Sequence, residues 1–352
     1  MDTWSPMQDT PLVSVLCRTV GRNTLGAALQ SVSDQDWPRL EIVLVDALGQ
    51  GRSALPVPTL RNDIDLHLVA GPSDEALDRP QAANAALDAA RGDLLLFLDD
   101  DDWLAPDQIR LLVGELSAHP NLVACYSATR KTLADGTPTD ETIAVPFDHA
   151  LLRRDNFMPI HAVLFRRSVV ERGCRFDESL AVYEDWDFWL QVAEHGPLKL
   201  LPHQGAYYRQ GGDSQTMLEE HRARYDAAHP MGQARARVLH KWRDRWSGAD
   251  WNALLGLMDQ QIEVAALNKD LAQAEQQLNA AAQRIEQLEW DLAHGQQKYA
   301  ELEAAHRALH SEHEQLNRDL RAILDSFSWR VTSPYRWLRR RLNAMLGTQR
   351  IR

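Results

Sequence analysis

The sequence predicts an α/β protein, a mostly parallel, Rossmann-like sheet covered by helices, followed by a long α-helical region. Three observations carry this expectation. Apolar runs alternate with helical stretches from Pro11 to about Tyr126, the order that buries a parallel sheet between helices. The run Leu94-Leu95-Leu96-Phe97-Leu98 has no polar interruption, as a strand buried on both faces requires, and it ends in the carboxylates Asp99 to Asp102. After about Gly232 the composition shifts to Ala, Gln, Glu, Leu and Arg with almost no strand signal.

Taken in order, residues 11–16 read as a short buried strand, followed by Cys17-Arg18-Thr19-Val20-Gly21-Arg22-Asn23. Thr24 stands where a helix to about Ser33 needs its N-cap. A second strand at 41–45 ends in Asp46, and a weaker third covers 65–69. An Ala-rich helix at 80–90 runs into Gly92 and the central strand, and then come a helix at 106–118 and a strand at 121–126. Residues 132–147 have the Gly, Pro, Thr and Asp content of a hairpin or loop. A strand at 160–165 leads to a short helix, and Tyr183-Glu184-Asp185-Trp186-Asp187-Phe188-Trp189-Leu190 opens another. Strands at 198–201 and 206–209 precede a Gly-rich turn at 210–216.

With 352 residues and 44% apolar content, the chain has room for one good-sized domain with a real core plus an extension. A net charge of -12 argues against nucleic acid as a general partner. Cys17, Cys125 and Cys174 are widely separated and lack C-x-x-C spacing, which suggests neither a zinc site nor a disulfide framework and fits a reducing cytoplasm. Residues 1–10 lack the basic and apolar regions of a signal peptide, and no run reaches membrane-spanning length, so any membrane contact is expected to be peripheral. Neither G-x-G-x-x-G nor G-x-x-x-x-G-K-[ST] occurs, so a nucleotide would be held by metal and side chains and not by a glycine cradle.

Adjacent carboxylates repel one another unless a cation sits among them. In open α/β sheets ligands collect beyond the carboxyl ends of the strands, and Mg²⁺ or Mn²⁺ takes one or two carboxylates plus substrate phosphates. The acidic strand end therefore points to a metal-diphosphate site, with Arg18 and Asp46 on the same sheet edge. The plainer alternative is a solvated acidic turn in which Asp102 or a neighbour caps the helix near Pro106. Glu184 and Asp185 suit a helix dipole. They also lie beside Trp186 and Trp189, whose flat faces either stack on sugars or fill a core. A carboxylate in that setting can take a proton from an acceptor hydroxyl.

In order and spacing, these pieces resemble a family 2 inverting glycosyltransferase of the GT-A fold, over Pro11 to about Thr216. The matching pieces are Val13-Ser14-Val15 with Arg18-Thr19-Val20-Gly21-Arg22, Leu40-Glu41 through Val45-Asp46, Ala83-Asn84 through Leu87, Gly92-Asp93 through Asp102-Trp103-Leu104, Glu184-Asp185-Trp186-Asp187, and Tyr207-Tyr208-Arg209. The resemblance implies that Asp99 and Asp101 form the D-x-D pair at a Mn²⁺ or Mg²⁺ ion, Asp101 touching the metal and Asp99 also near the ribose. Asp46, Arg18 and Thr19 would surround the base, with Asp100, Arg79 and Asn84 on the same donor side. Asp185 would be the catalytic base, with Glu184, Trp186 and His161 facing the acceptor. The sequence departs from the family where Ala47 follows Asp46, where Ala83 replaces an Arg (Arg79 standing in upstream), and where Gln210-Gly211-Gly212 replaces a His, so no third metal ligand is named.

The implied reaction is a single displacement. Asp185 deprotonates an acceptor hydroxyl, which attacks the anomeric carbon opposite the nucleotide-diphosphate of the sugar donor. The acceptor would be a surface glycan or a lipid-linked one. Two other readings stand beside this. A sugar-phosphate nucleotidyltransferase is disfavoured by the lack of a Gly-rich, Arg-Lys loop after the first strand. A scaffold that binds sugar nucleotides without turnover is disfavoured by the intact Asp99, Asp101 and Asp185.

From Val264 and Leu267 to Leu320 and Ile323, apolar residues fall at alternating spacings of three and four, a coiled-coil seam weakened at Gly295, His306 and His313. Such a rod, roughly 90 Å long, calls for a partner helix, most simply a second copy of the chain. Beyond it lie Phe327, Trp329, Tyr335, Trp337 and Leu338 among Arg330, Arg336, Arg339, Arg340, Arg341, Arg350 and Arg352, with no acid after Asp325. This basic-aromatic segment suits a membrane surface. It also resembles the Ser-x-Ser-Trp-Arg-x-Thr-x-Pro tail of bacterial surface-polysaccharide enzymes. Packing on the acidic domain or on a partner protein is the alternative. The expected organisation is an extension at 1–10, a GT-A domain at 11–230, a helical linker at 231–263, a coiled coil at 264–325 and a basic amphipathic tail at 326–352. The expected setting is cytoplasmic, peripheral on the inner face of the membrane.

Overall fold

Strands β1 (Val13–Thr19), β2 (Leu40–Asp46), β3 (Asp65–Ala70) and β4 (Leu94–Asp99) pair in parallel in the order β3-β2-β1-β4. The register sets Thr19 opposite Asp46 and Arg18 opposite Asp99. The polar residues that end these strands therefore share one edge of the sheet. The computed structural model describes residues 10–49, 51, 55–71, 76–211 and 223–346. Most of the expected N-terminal extension, the greater part of the Gly-rich turn, and Arg350 and Arg352 lie outside them.

The sheet continues from β4 through β8 (Val163–Arg166), β6 (Ala124–Thr132) and β9 (Leu198–Arg209) to the short β5 (Trp103–Leu104). β8 runs antiparallel to both β4 and β6, β9 is parallel to β6, and β5 is antiparallel to β9. β7 (Pro138–Ile143) pairs with β6 as the expected hairpin. The sheet is thus parallel over its first four strands and mixed beyond. There the short β6–β7 turn allows only antiparallel pairing of the two strands it joins.

Alternate strand residues feed two cores. Val13, Val15 and Cys17 of β1, with Leu94, Leu96 and Leu98 of β4, pack against α1 (Leu25–Ser33) and α3 (Gln108–Ala118). Leu16, Leu95 and Phe97 face the other way, onto α2 (Arg79–Ala89) and α6 (Glu184–Ala193). Asp78 and Gln81 close a capping box at the start of α2, which fixes Arg79 in its first turn. Gly92 has no room for a side chain, since a Cβ would lie 2.5 Å from Ser14 Oγ and 2.8 Å from the Leu12 carbonyl. Short helices α4 (His149–Arg154) and α5 (Arg167–Glu171) complete the layer.

Val238 and Trp242 of α7 (Pro230–Trp242), then Trp246 and Leu254, are buried in the same core as α6. The first compact unit accordingly extends to Gln261. A second unit begins at Ile262 and contains most of α8 (Gly248–Asp325), one helix of 78 residues with no break at 263/264. Ser326 ends α8 and caps α9 (Phe327–Val331), which is followed by α10 (Ser333–Leu346). Among the described residues, no helix is long and apolar enough to cross a membrane.

Candidate active site

Arg18 lies at the end of β1 with its guanidinium over the Phe97 ring, 5.8 Å from the centroid. It donates Nη2–H to Asp99 Oδ1 at 2.6 Å and Nε–H to the same oxygen at 3.1 Å. Arg79 reaches Asp99 Oδ2 at 3.2 Å and Glu184 Oε1 at 3.0 Å. Arg18 Nη1 is 3.5 Å from that same Glu184 oxygen. β1, α2, β4 and α6 thus meet in a square of two arginines and two carboxylates. Asp99 is held well below the ordinary carboxylate range because the nearby arginines outweigh its burial.

Asp185 follows Glu184 in the first turn of α6. Its Oδ2 accepts the Asn156 amide at 2.8 Å, and its Oδ1 accepts the Trp186 backbone N–H at 2.7 Å. The residue is partly exposed, unlike Glu184. Burial and the Glu184 charge push its carboxyl up to about 7, against the pull of Arg79. Tyr183, just before this turn, adopts φ 63°, the one left-handed non-glycine residue among those described. Strain of that kind persists where surrounding structure fixes a particular geometry.

The four acids after Phe97-Leu98 separate into different environments. Asp100 is buried and holds the β1–α1 loop, accepting Thr19 Oγ1–H at 2.7 Å, the Val20 N–H at 3.3 Å and Arg22 Nη1–H at 2.5 Å. Asp102 is also buried, with His161 Nδ1 at 2.9 Å and the Arg209 N–H at 2.9 Å. It caps no helix, and the acidic-turn alternative fails for it. Asp101 differs from its neighbours. Its side chain is about a fifth exposed, and its contact among the described residues is a long ion pair to Arg22 at 3.8 Å. Burial, followed by the charges of Asp102 and Asp99, pushes its carboxyl up to about 6.

With no hydrogen bond to its side-chain oxygens among the described residues, the Asp101 carboxylate suits a hard divalent cation. Asp99 fits less well as a ligand, since Arg18 and Arg79 occupy both of its oxygens. Among the described residues, no three His, Cys, Asp or Glu side chains converge into a cation cage. Asp46 is fully buried at the end of β2, where Oδ2 accepts the Gly51 N–H at 2.7 Å and Oδ1 has no partner among the described residues.

Several residues expected to contact donor or acceptor are engaged with other groups of the protein. Trp186 is fully buried with its indole N–H on the Leu152 carbonyl, so it fills the core and offers no stacking face. Asn84 bonds the Phe176 backbone in both directions at 3.0 Å and ties α2 to that loop, so its amide is already engaged within the protein. His161 is buried beside Asp102 and stacks on Tyr208, so it is no acceptor contact. Glu184 is spent on the two arginines. Asn156 was not foreseen, because nothing in a loop asparagine marks it until α6 folds against it.

Residues 14–173 match the family model Glycosyl transferase family 2. The match takes in Asp46 and Asp99 to Asp102 and stops before Glu184 and Asp185. The chain is 25% identical over 210 residues to the uncharacterized glycosyltransferase YwdF of Bacillus subtilis, covering 58% of this chain and 77% of that protein. It is 27% identical over 221 residues to the succinoglycan biosynthesis protein ExoO of Rhizobium meliloti, covering 56% and 61%. The chain spans only 21% of the length of another relative. Among solved structures, that of S. aureus TarS residues 1–349 in complex with UDP-GlcNAc aligns with 17% identity and TM-score 0.49, over 59% of this chain and 62% of that one. The α/β sheet followed by the long helix α8 agrees with the α/β class expected from the sequence, although the sheet is mixed and not mostly parallel.

Proposed function

We propose that the chain is a metal-dependent inverting glycosyltransferase that moves a sugar from a nucleotide-diphosphate donor to a hydroxyl of a surface glycan or lipid-linked acceptor. One observation carries this reading. A partly exposed carboxylate that burial and the Glu184 charge raise well above the ordinary range, Asp185, adjoins the Arg18–Asp99–Arg79–Glu184 network at the carboxyl ends of β1 and β4. A base poised near neutrality is what abstraction of a hydroxyl proton requires. The family 2 match and the relative named for succinoglycan biosynthesis support the reaction class and the polysaccharide setting.

In this reading Asn156 and the Trp186 N–H orient Asp185, which removes the acceptor proton as the oxygen attacks the anomeric carbon. Arg79, about half exposed, is free to turn part of its guanidinium to the donor phosphates while the rest stays on Glu184. The buried orphan oxygen of Asp46 is an acceptor suited to an N–H of the nucleobase. Asp101 would hold Mn²⁺ or Mg²⁺, which when bound stabilises the departing diphosphate as a Lewis acid. The protein would act peripherally on the cytoplasmic face of a membrane, where lipid-linked acceptors are presented.

The exposed stripe on α8, with Leu271, Leu278, Leu302, Leu309 and Leu316 each more than half exposed, fits a second copy of the chain through the heptad seam. The catalytic reading is tested by Asp185→Asn. Transfer from every donor that binds the wild type should fall at least a thousandfold, on the order expected for loss of a general base, while nucleotide affinity stays within about twofold. Equal loss of binding would make Asp185 structural.

A further inference from the structure

The α9–α10 segment is a folded unit and not a loose basic extension. Ser326 caps α9 by accepting the Trp329 N–H at 3.2 Å. Arg336 of α10 then lies back over the Trp329 ring, 3.6 Å from its centroid, and donates to the Trp329 carbonyl and to Thr332 Oγ1. This clasp sets α10 against α9 and fixes which face of α10 stays open.

On α10, Tyr335, Leu338, Leu342 and Met345 follow one another at spacings of three, four and three, and so share a single face of the helix. Each is at least half exposed, Met345 reaching 77%. Arg339 and Arg341 fall on either side of this strip at helical spacing, and Arg336 and Arg340 lie behind it. Trp337 sits at the border with the Arg341 guanidinium 4.5 Å from its ring centroid. No carboxylate follows Asp325, and Asp325 itself takes Arg330 at 3.4 Å. An apolar strip one side chain deep, edged by arginines whose stems reach past it, is what a lipid interface accommodates: strip in the acyl boundary, guanidinium groups among the phosphates.

We propose that α10 docks this protein on an anionic lipid surface through Tyr335, Leu338, Leu342 and Met345, with Arg339 and Arg341 on the headgroup phosphates. The proposal stands apart from the catalytic reading, and its test has no activity readout. Full-length protein is sedimented with vesicles of phosphatidylcholine alone, or with a third phosphatidylglycerol, at low and high salt.

The wild type should pellet with the anionic vesicles, and less so at high salt. Replacing Arg339 and Arg341 with Gln should lower partitioning roughly thirtyfold, at about one kcal/mol per arginine near the surface. The pair Leu338→Glu and Leu342→Glu should leave the protein in the supernatant. Wild-type-like binding by either variant overturns the proposal. So does a wild type that ignores both vesicles, and a smaller mass in solution for the Leu338→Glu, Leu342→Glu variant would then make the face a contact between copies.

Discussion

Asn156 donates its side-chain amide to Oδ2 of Asp185 at 2.8 Å, while the other oxygen is held by the Trp186 N–H. Both carboxylate oxygens therefore have fixed directions before any acceptor arrives. Asn156 acts through Asp185 and is a positioning residue. Asn156→Ala should lower kcat roughly ten- to a hundredfold with little change in donor KM, the signature of a lost transition-state contribution. Combined with Asp185→Asn it should add almost nothing, because the two act as one unit. Steady-state kinetics of the three variants check this.

Glu184 sets the protonation of its neighbour. Burial and the Glu184 charge raise Asp185 to about 7, so the base is increasingly protonated, and turnover should fall, as pH drops below that value. Glu184→Gln removes the like charge and leaves Arg79 facing Asp185. The acid limb of the pH–rate profile should move to lower pH, even if the maximal rate suffers from the disturbed arginine pair. An unmoved limb would assign it to another group.

Asp187, fully buried on α6, accepts the Trp242 indole N–H at 2.8 Å, Lys241 at 2.9 Å and Gln191 at 2.8 Å. It joins α7 to the domain. Asp187→Ala would strand these donors and should destabilise the chain by about 3 kcal/mol. Urea unfolding followed by Trp fluorescence measures it directly, and nucleotide binding at low temperature should survive.

The α8 seam predicts a mass of two chains in solution for the full-length protein. Leu302→Glu with Leu309→Glu places charges at two seam positions that are exposed in the single chain, so the fold of the first unit should be untouched and the mass should drop to one chain. Light scattering after size exclusion reads both.

Much of this was legible beforehand, for identifiable reasons. The β4 run and its acids are local: an apolar strand that stops at Asp99 must place that residue at a sheet edge, and the parallel register carries Arg18 and Asp46 there with it. What each acid does was not local. Asp100 and Asp102 look identical to Asp101 in sequence, yet the first ties down the Thr19–Arg22 loop and the second pairs with His161. Trp186 illustrates the same limit, since tryptophans three apart are more often core but also suit a sugar platform until the fold puts the Trp186 indole on the Leu152 carbonyl. The sequence suggests two strands, at 198–201 and 206–209, where β9 runs continuously from Leu198 to Arg209 through Pro202.

The most direct test of the account is calorimetry of a panel of nucleoside diphosphates, with and without Mn²⁺, on the wild type and Asp101→Ala. The account predicts that one nucleotide binds the wild type in a Mn²⁺-dependent manner and that the Mn²⁺ dependence disappears in the variant. Failure of every nucleotide to bind, or equal Mn²⁺ dependence in the two proteins, would contradict the donor site assigned to Asp101 and its neighbours.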